Sequence, residues 1–123
     1  MLDHELIPAE DRDSKRLLVM LHGLGDSMEG YRWLPDALGL PWLNYVLVNA
    51  PDEYYGGYSW YDFAHDKRPG IVRSREMLFA LLDDMPPGMR PPLRTRVNLV
   101  WIANLQWKSA RLSDEIRRIE TAK

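Results

Sequence analysis

The run Leu17-Leu18-Val19-Met20-Leu21-His22-Gly23-Leu24-Gly25-Asp26-Ser27 constrains the fold of this chain more than any other stretch. Five apolar residues in a row read as a strand covered on both faces. His-Gly and a second glycine then permit a turn in which the backbone approaches other groups closely. Acyl-transfer chemistry needs such a turn, because main-chain N–H groups must lie against a developing oxyanion. The nucleophile of that chemistry normally stands on a strained strand-to-helix elbow, Gly-x-Ser-x-Gly. No such pentapeptide occurs in the 123 residues.

The surrounding pattern is that of an α/β chain. Leu2 to Ile7 reads as a short strand ended by Pro8, and Arg16 to Leu21 as the covered strand. Asp26 or Ser27 is positioned to cap a helix carrying Tyr31, Leu34 and Leu38, which Pro35 kinks or shortens and Gly39 ends. Tyr45 to Val48 is the next strand, closed by Asn49-Ala50-Pro51. Strand, helix, strand in that order implies a parallel pair. Tyr54 to Phe63 reads as a loop dense in aromatics, and Gly70 to Met85 as a helix with Ile71, Leu78, Leu82 and Met85 on one face. A further strand is expected over Arg96–Ile102 and a helix over Lys108–Thr121, with Leu112, Ile116 and Ile119 as its apolar stripe.

Composition changes sign near Met85. Lys and Arg number 8 against 15 Asp and Glu over residues 1–85, and 8 against 3 over 86–123, so a net −7 gives way to +5. Pro86, Pro87, Pro91 and Pro92 cluster at that boundary. The expected division is therefore 1–85 as one domain portion and 86–123 as a divergent basic segment, either an interaction arm or sequence from another reading frame. The overall charge of −2 gives no electrostatic case for nucleic acid. The chain has no cysteine, which excludes disulfides and a thiol nucleophile. Met1 to Glu10 is acidic and lacks the basic-then-apolar order of a signal peptide, and no apolar run is long enough to span a bilayer. A cytoplasmic protein is the expectation.

Three ordered motifs resemble one family. Leu21-His22-Gly23-Leu24-Gly25-Asp26-Ser27, Asn49-Ala50-Pro51 and Trp60-Tyr61-Asp62 are similar, in order and spacing, to the carboxylesterase/phospholipase group of α/β-hydrolases, which includes the acyl-protein thioesterases. The resemblance covers roughly residues 1–85. It implies a partial α/β-hydrolase fold, a mostly parallel sheet with flanking helices, truncated before the nucleophile elbow. It also implies a serine esterase lineage acting on carboxylic esters or thioesters, with no cofactor and no metal. On this resemblance the Leu24 N–H is the oxyanion donor, His22 and Gly23 shape its turn, and Tyr55, Trp60 and Tyr61 border the acyl group. The nearest counterpart of the family's nucleophile-bearing strand is Arg96 to Val100, and Trp101-Ile102-Ala103-Asn104-Leu105 after it holds neither glycine nor serine. The catalytic serine, acid and base are thus all missing, and the chain is expected to be inactive alone.

Each remaining candidate has a plainer reading. His22 is expected to stabilise its loop rather than move protons, since a base needs a nucleophile within hydrogen-bond reach. Ser59, in Gly57-Tyr58-Ser59-Trp60-Tyr61, meets three places of the elbow motif and fails the fifth. His65, beside Asp66, reads as a solvated loop residue, and His4 as a surface one. Gly23-x-Gly25 suggests a dinucleotide fingerprint, but its third glycine would fall at Met28. The three histidines lack metal-ligand spacing. Arg90 to Arg96 alternates with proline and has no aromatics between its charges, so it reads as a solvated tail; Trp101 and Trp107 read as core or exposed residues rather than base-stacking platforms. The alternative function is a non-catalytic ligand- or protein-binding module using the aromatic segment. Expected partners are a small ester or acyl substrate in the intact lineage, and self-association through an open sheet edge.

Overall fold

The computed structural model describes residues 1–62 and 64–90. The strand and helix expected over Arg96–Ile102 and Lys108–Thr121 lie outside the described residues. Three strands form one sheet: β1 (His4–Ile7), β2 (Arg16–Leu21) and β3 (Leu43–Val48), in the order β1-β3-β2. β3 runs parallel to β2, with Val19 opposite Val46 and Leu21 opposite Val48, and antiparallel to β1. Every residue of β3 is buried, as befits a central strand covered on both faces.

Alternation along the strands divides the core into two halves. Leu17, Val19 and Leu21 of β2 join Val46 and Val48 of β3 on one face. There they meet Leu78, Leu81 and Leu82 of α2 (Arg68–Asp83), together with Met85 just beyond it. Each leucine so buried is worth about 2 kcal/mol against exposure. Leu18 and Met20 join Leu43, Tyr45 and Leu47 on the other face, under Leu34 and Leu38 of α1 (Leu34–Leu38). Ile71, expected on the inner face of α2, is only half-buried. Ser74 faces inward instead and donates its hydroxyl proton to the Trp60 carbonyl.

The expected helix after β2 is two pieces. Met28–Tyr31 is a 3-10 turn, and α1 begins only at Leu34. Pro35 lies in the first turn of α1, where a missing N–H leaves no hydrogen bond unmade, so it starts the helix rather than kinking it. Gly39, at φ 61°, ends it in the left-handed conformation. Tyr31, Leu34 and Leu38 nevertheless share one core cluster, as their spacing implies. Neither expected cap closes the 3-10 turn with its side chain. Ser27 holds the cap position in extended geometry, and the Met28 N–H is taken by Asn49 Oδ1 at 2.7 Å, from the end of β3.

The aromatic segment, expected as a loop, contains a hairpin of β4 (Asp52–Tyr54) and β5 (Gly57–Ser59). Its two-residue tip, Tyr55-Gly56, has φ 43° and 85°. Positive φ at both tip positions matches the right-handed strand twist, which is why glycine and asparagine usually fill them. Tyr55 occupies the first at a steric cost of about 1 kcal/mol.

One buried polar atom has no partner among the described residues, the Tyr45 hydroxyl beneath α1. Its burial raises the phenol pKa above 10.0. Tyr45→Phe removes that desolvated group while keeping the ring, so we expect stability to rise by about 1 kcal/mol. A urea melt in which the variant unfolds earlier than the parent would contradict this.

Candidate active site

β2 delivers His22 into the core, where the side chain is 1% exposed. Its Nδ1 lies 2.7 Å from the Gly23 carbonyl oxygen, and its Nε2 lies 2.9 Å from the Ala50 backbone nitrogen. A carbonyl only accepts and an amide N–H only donates. Nδ1 therefore carries the proton and Nε2 the lone pair, so the ring is neutral with both nitrogens engaged. Burial pushes its pKa below the ordinary 6.5, opposed by the Gly23 carbonyl and by the charges of Asp26 and Glu29. A ring bonded at both nitrogens to its own backbone holds the turn and has no free lone pair for proton transfer.

Trp60 completes the clamp. Its indole N–H donates to the His22 carbonyl at 2.8 Å, and its ring lies 5.3 Å from the imidazole, tilted by 31°. Both the side chain and the carbonyl of His22 are thus fixed from outside β2. Ala50 and Trp60 come from the second and third motifs of the sequence, so all three motifs meet at His22.

Beyond His22 the turn is stitched to the hairpin. The Gly25 N–H donates to the Tyr58 carbonyl and the Tyr58 N–H to the Asp26 carbonyl, both at 3.0 Å. The Asp26 N–H reaches the Gly23 carbonyl at 3.2 Å, and the Ser27 N–H reaches Asp26 Oδ1 at 2.8 Å. With Met28 bonded to Asn49, four successive amides from 25 to 28 are satisfied. Among the described residues, the Leu24 N–H immediately before them has no acceptor. Leu24 itself is 43% exposed, on a turn whose next four amides are all engaged.

The expected aromatic border is distributed over three environments. Tyr55 stands at the hairpin tip, 94% exposed, with its ring edge-on to Tyr54 at 4.8 Å. Tyr61 is half-buried, and its backbone is pressed by α2: a Cβ on Gly70 would come within 2.8 Å of Tyr61 Cα. Trp60 is buried. The Ser59 hydroxyl is buried and donates to the Tyr61 carbonyl within its own bend. His65 is exposed and paired to Asp62 at 2.8 Å, and His4 is exposed with Nδ1 on the Leu2 carbonyl. Among the described residues no group of three or more His, Cys, Asp or Glu is placed to hold a metal, and no helix is long and apolar enough to cross a membrane.

The fold finds counterparts among known proteins. The crystal structure of esterase PE8 superposes with a TM-score of 0.52 at 30% identity, over 68% of this chain and 44% of that one. Acyl-protein thioesterase 2 of Zea mays superposes with a TM-score of 0.56 at 25% identity, over 71% and 42%. In sequence, acyl-protein thioesterase 1 of Candida albicans is 44% identical over 50 residues, which are 37% of this chain and 22% of that protein. Over part of their length the chain is similar to esterases and thioesterases of the α/β-hydrolase fold. No protein-family model matches it. It spans less than half the length of each of these three relatives. Its described sheet and helices are thus a part of the α/β-hydrolase fold.

Two residues that hold the site have no individual role that the sequence discloses. Asn49 reads there as a strand terminator within the second motif, and Gly57 as one glycine of the aromatic loop. A Gly56-Gly57 pair between alternating aromatics does carry a hairpin signal.

Proposed function

We propose that residues 1–85 build the oxyanion side of a serine hydrolase site for carboxylic esters or thioesters, with the Leu24 N–H as one donor. His22 and Gly23 shape its turn, and Tyr55, Trp60 and Tyr61 form the flank nearest the acyl group, Trp60 from beneath. The observation that carries this reading is the Leu24 amide, on an exposed residue, without an acceptor among the described residues and directly ahead of four successive bonded amides. A donor fixed before substrate arrives stabilises the developing charge without reorganising. The likeness to an esterase and to acyl-protein thioesterases supports the substrate class. Phospholipid esters and a cytoplasmic setting belong to the same proposal. Residues 86–123 form a separate, divergent segment in this reading.

The 123 residues contain no Gly-x-Ser-x-Gly, so the serine that would attack the acyl carbon is not supplied by that motif. We therefore expect the purified chain to release no p-nitrophenol from p-nitrophenyl butyrate above the buffer rate. Serine-dependent turnover would overturn the inactive reading. The donor assignment is tested in a chimera that joins residues 1–85 to the remainder of the Zea mays thioesterase. Leu24→Pro deletes the N–H and should lower kcat about 100- to 1,000-fold, as loss of one oxyanion donor does. A Leu24→Pro chimera with an unchanged circular dichroism spectrum and kcat within threefold of its parent would remove Leu24 from the site.

A further inference from the structure

Resting on the oxyanion reading of Leu24, we propose that Gly57 is the positioning residue of this turn, and that the hairpin β4–β5 sets the direction of the Leu24 N–H. The turn has two anchors, one on each side of the Leu24 peptide, and both come from the segment 57–60. Upstream, the Trp60 indole N–H holds the His22 carbonyl at 2.8 Å. Downstream, the Tyr58 backbone exchanges two 3.0 Å hydrogen bonds with Gly25 and Asp26.

Gly57 is where the two backbones touch. A Cβ built there falls on the Gly25 carbonyl group and 2.8 Å from the Asp26 carbonyl oxygen. These atoms are main chain and cannot rotate away as a side chain would. Gly57 itself lacks the positive φ of Gly25 and Gly56. Its requirement is therefore space rather than conformation: any side chain pushes β5 off the turn. The downstream pair of hydrogen bonds then lengthens, and the Leu24–Gly25 peptide is free to rotate. Gly25 contributes to the same junction from the other side, with φ 79° and the Tyr54 ring 3.7 Å from where its Cβ would be. Tyr54 of β4 and Tyr55 at the tip thus sit on the element that aims the amide.

Residue-resolved amide hydrogen exchange on the full 123-residue chain tests this. In Gly57→Ala, the Gly25 and Tyr58 amides should lose at least 100-fold protection and the Leu24 amide signal should move. The β3 amides, such as Val46 and Leu47, should change less than tenfold. Asn44→Ala, which loosens the sheet away from the turn, should lower protection across the chain together and leave the Leu24 signal in place. Protection of Gly25 and Tyr58 within threefold of the parent in Gly57→Ala would overturn the proposal, as would a uniform loss across the sheet. Should Gly57→Ala not fold, the parent chain decides it. Gly25 and Tyr58 must then exchange at matched rates, distinct from β3, and unmatched rates overturn the coupling. These readouts need no ester turnover, so they fail or succeed independently of the Leu24→Pro chimera.

Discussion

His22→Ala is expected to destabilise the chain by about 3–5 kcal/mol. The substitution removes a ring packed against Trp60 and leaves a cavity in a fully buried position. It also leaves the buried Ala50 N–H without its acceptor and removes one of the two donors to the Gly23 carbonyl. The same ring predicts a pH dependence. Its folded-state pKa lies below the ordinary 6.5, so the folded state holds the proton less tightly than the unfolded chain does. Above pH of about 6.5 both states are neutral, and the contribution of His22 is complete. As pH falls below that, the unfolded chain takes up the proton first, and stability declines by up to about 1.4 kcal/mol per pH unit until the folded pKa is reached. Denaturant melts between pH 7.5 and 5.5 should therefore slope downward toward acid in the parent. In His22→Phe that part of the slope should vanish. Equal slopes in the two proteins would show that His22 does not titrate in this window as described.

Asn44→Ala should cost about 3 kcal/mol, although the residue lies at the end of the sheet away from the turn. The buried Asn44 amide makes three hydrogen bonds. Its oxygen accepts from the Ala9 N–H at 2.8 Å, and its nitrogen donates to the carbonyls of Ser14 at 3.1 Å and Arg16 at 2.8 Å. One side chain on β3 thereby ties down both ends of the connection between β1 and β2. Truncation strands a donor beside the buried Ala9 and frees that connection, with a penalty of about 1–3 kcal/mol for the desolvated group in addition to the bonds lost. A loss below about 1 kcal/mol in thermal or urea unfolding would mean that water replaces the amide without difficulty.

The parts of the fold that follow from a local period were legible in the sequence. β2, β3 and the apolar face of α2 are runs and stripes, and the structure places them within a few residues of where the pattern does. The parts that depend on distant partners were not. Nothing around Met28 says that its N–H is bonded by Asn49, so the local candidates Asp26 and Ser27 looked like the cap. The hairpin was obscured by Tyr55, a residue whose side chain disfavours the left-handed tip it occupies. At the site, the Gly23-x-Gly25 turn announced itself. The role of Gly57 did not, because it depends on a backbone more than thirty residues earlier in the chain. Asn44 gave no signal either: an asparagine inside an apolar strand is legible as a network only once its three partners are seen.

The Asn49 bond has a further consequence, one for the order of assembly. The 3-10 turn at Met28–Tyr31 has no side-chain cap of its own, and its first donor is completed by a residue 21 positions downstream. Such a turn cannot mature as an independent nucleus while the chain is being made. It waits for β3 to dock beside β2, so closure of that loop comes first and the local helix second. A segment that would ordinarily be among the earliest to order therefore inherits the timing of the parallel strand pair.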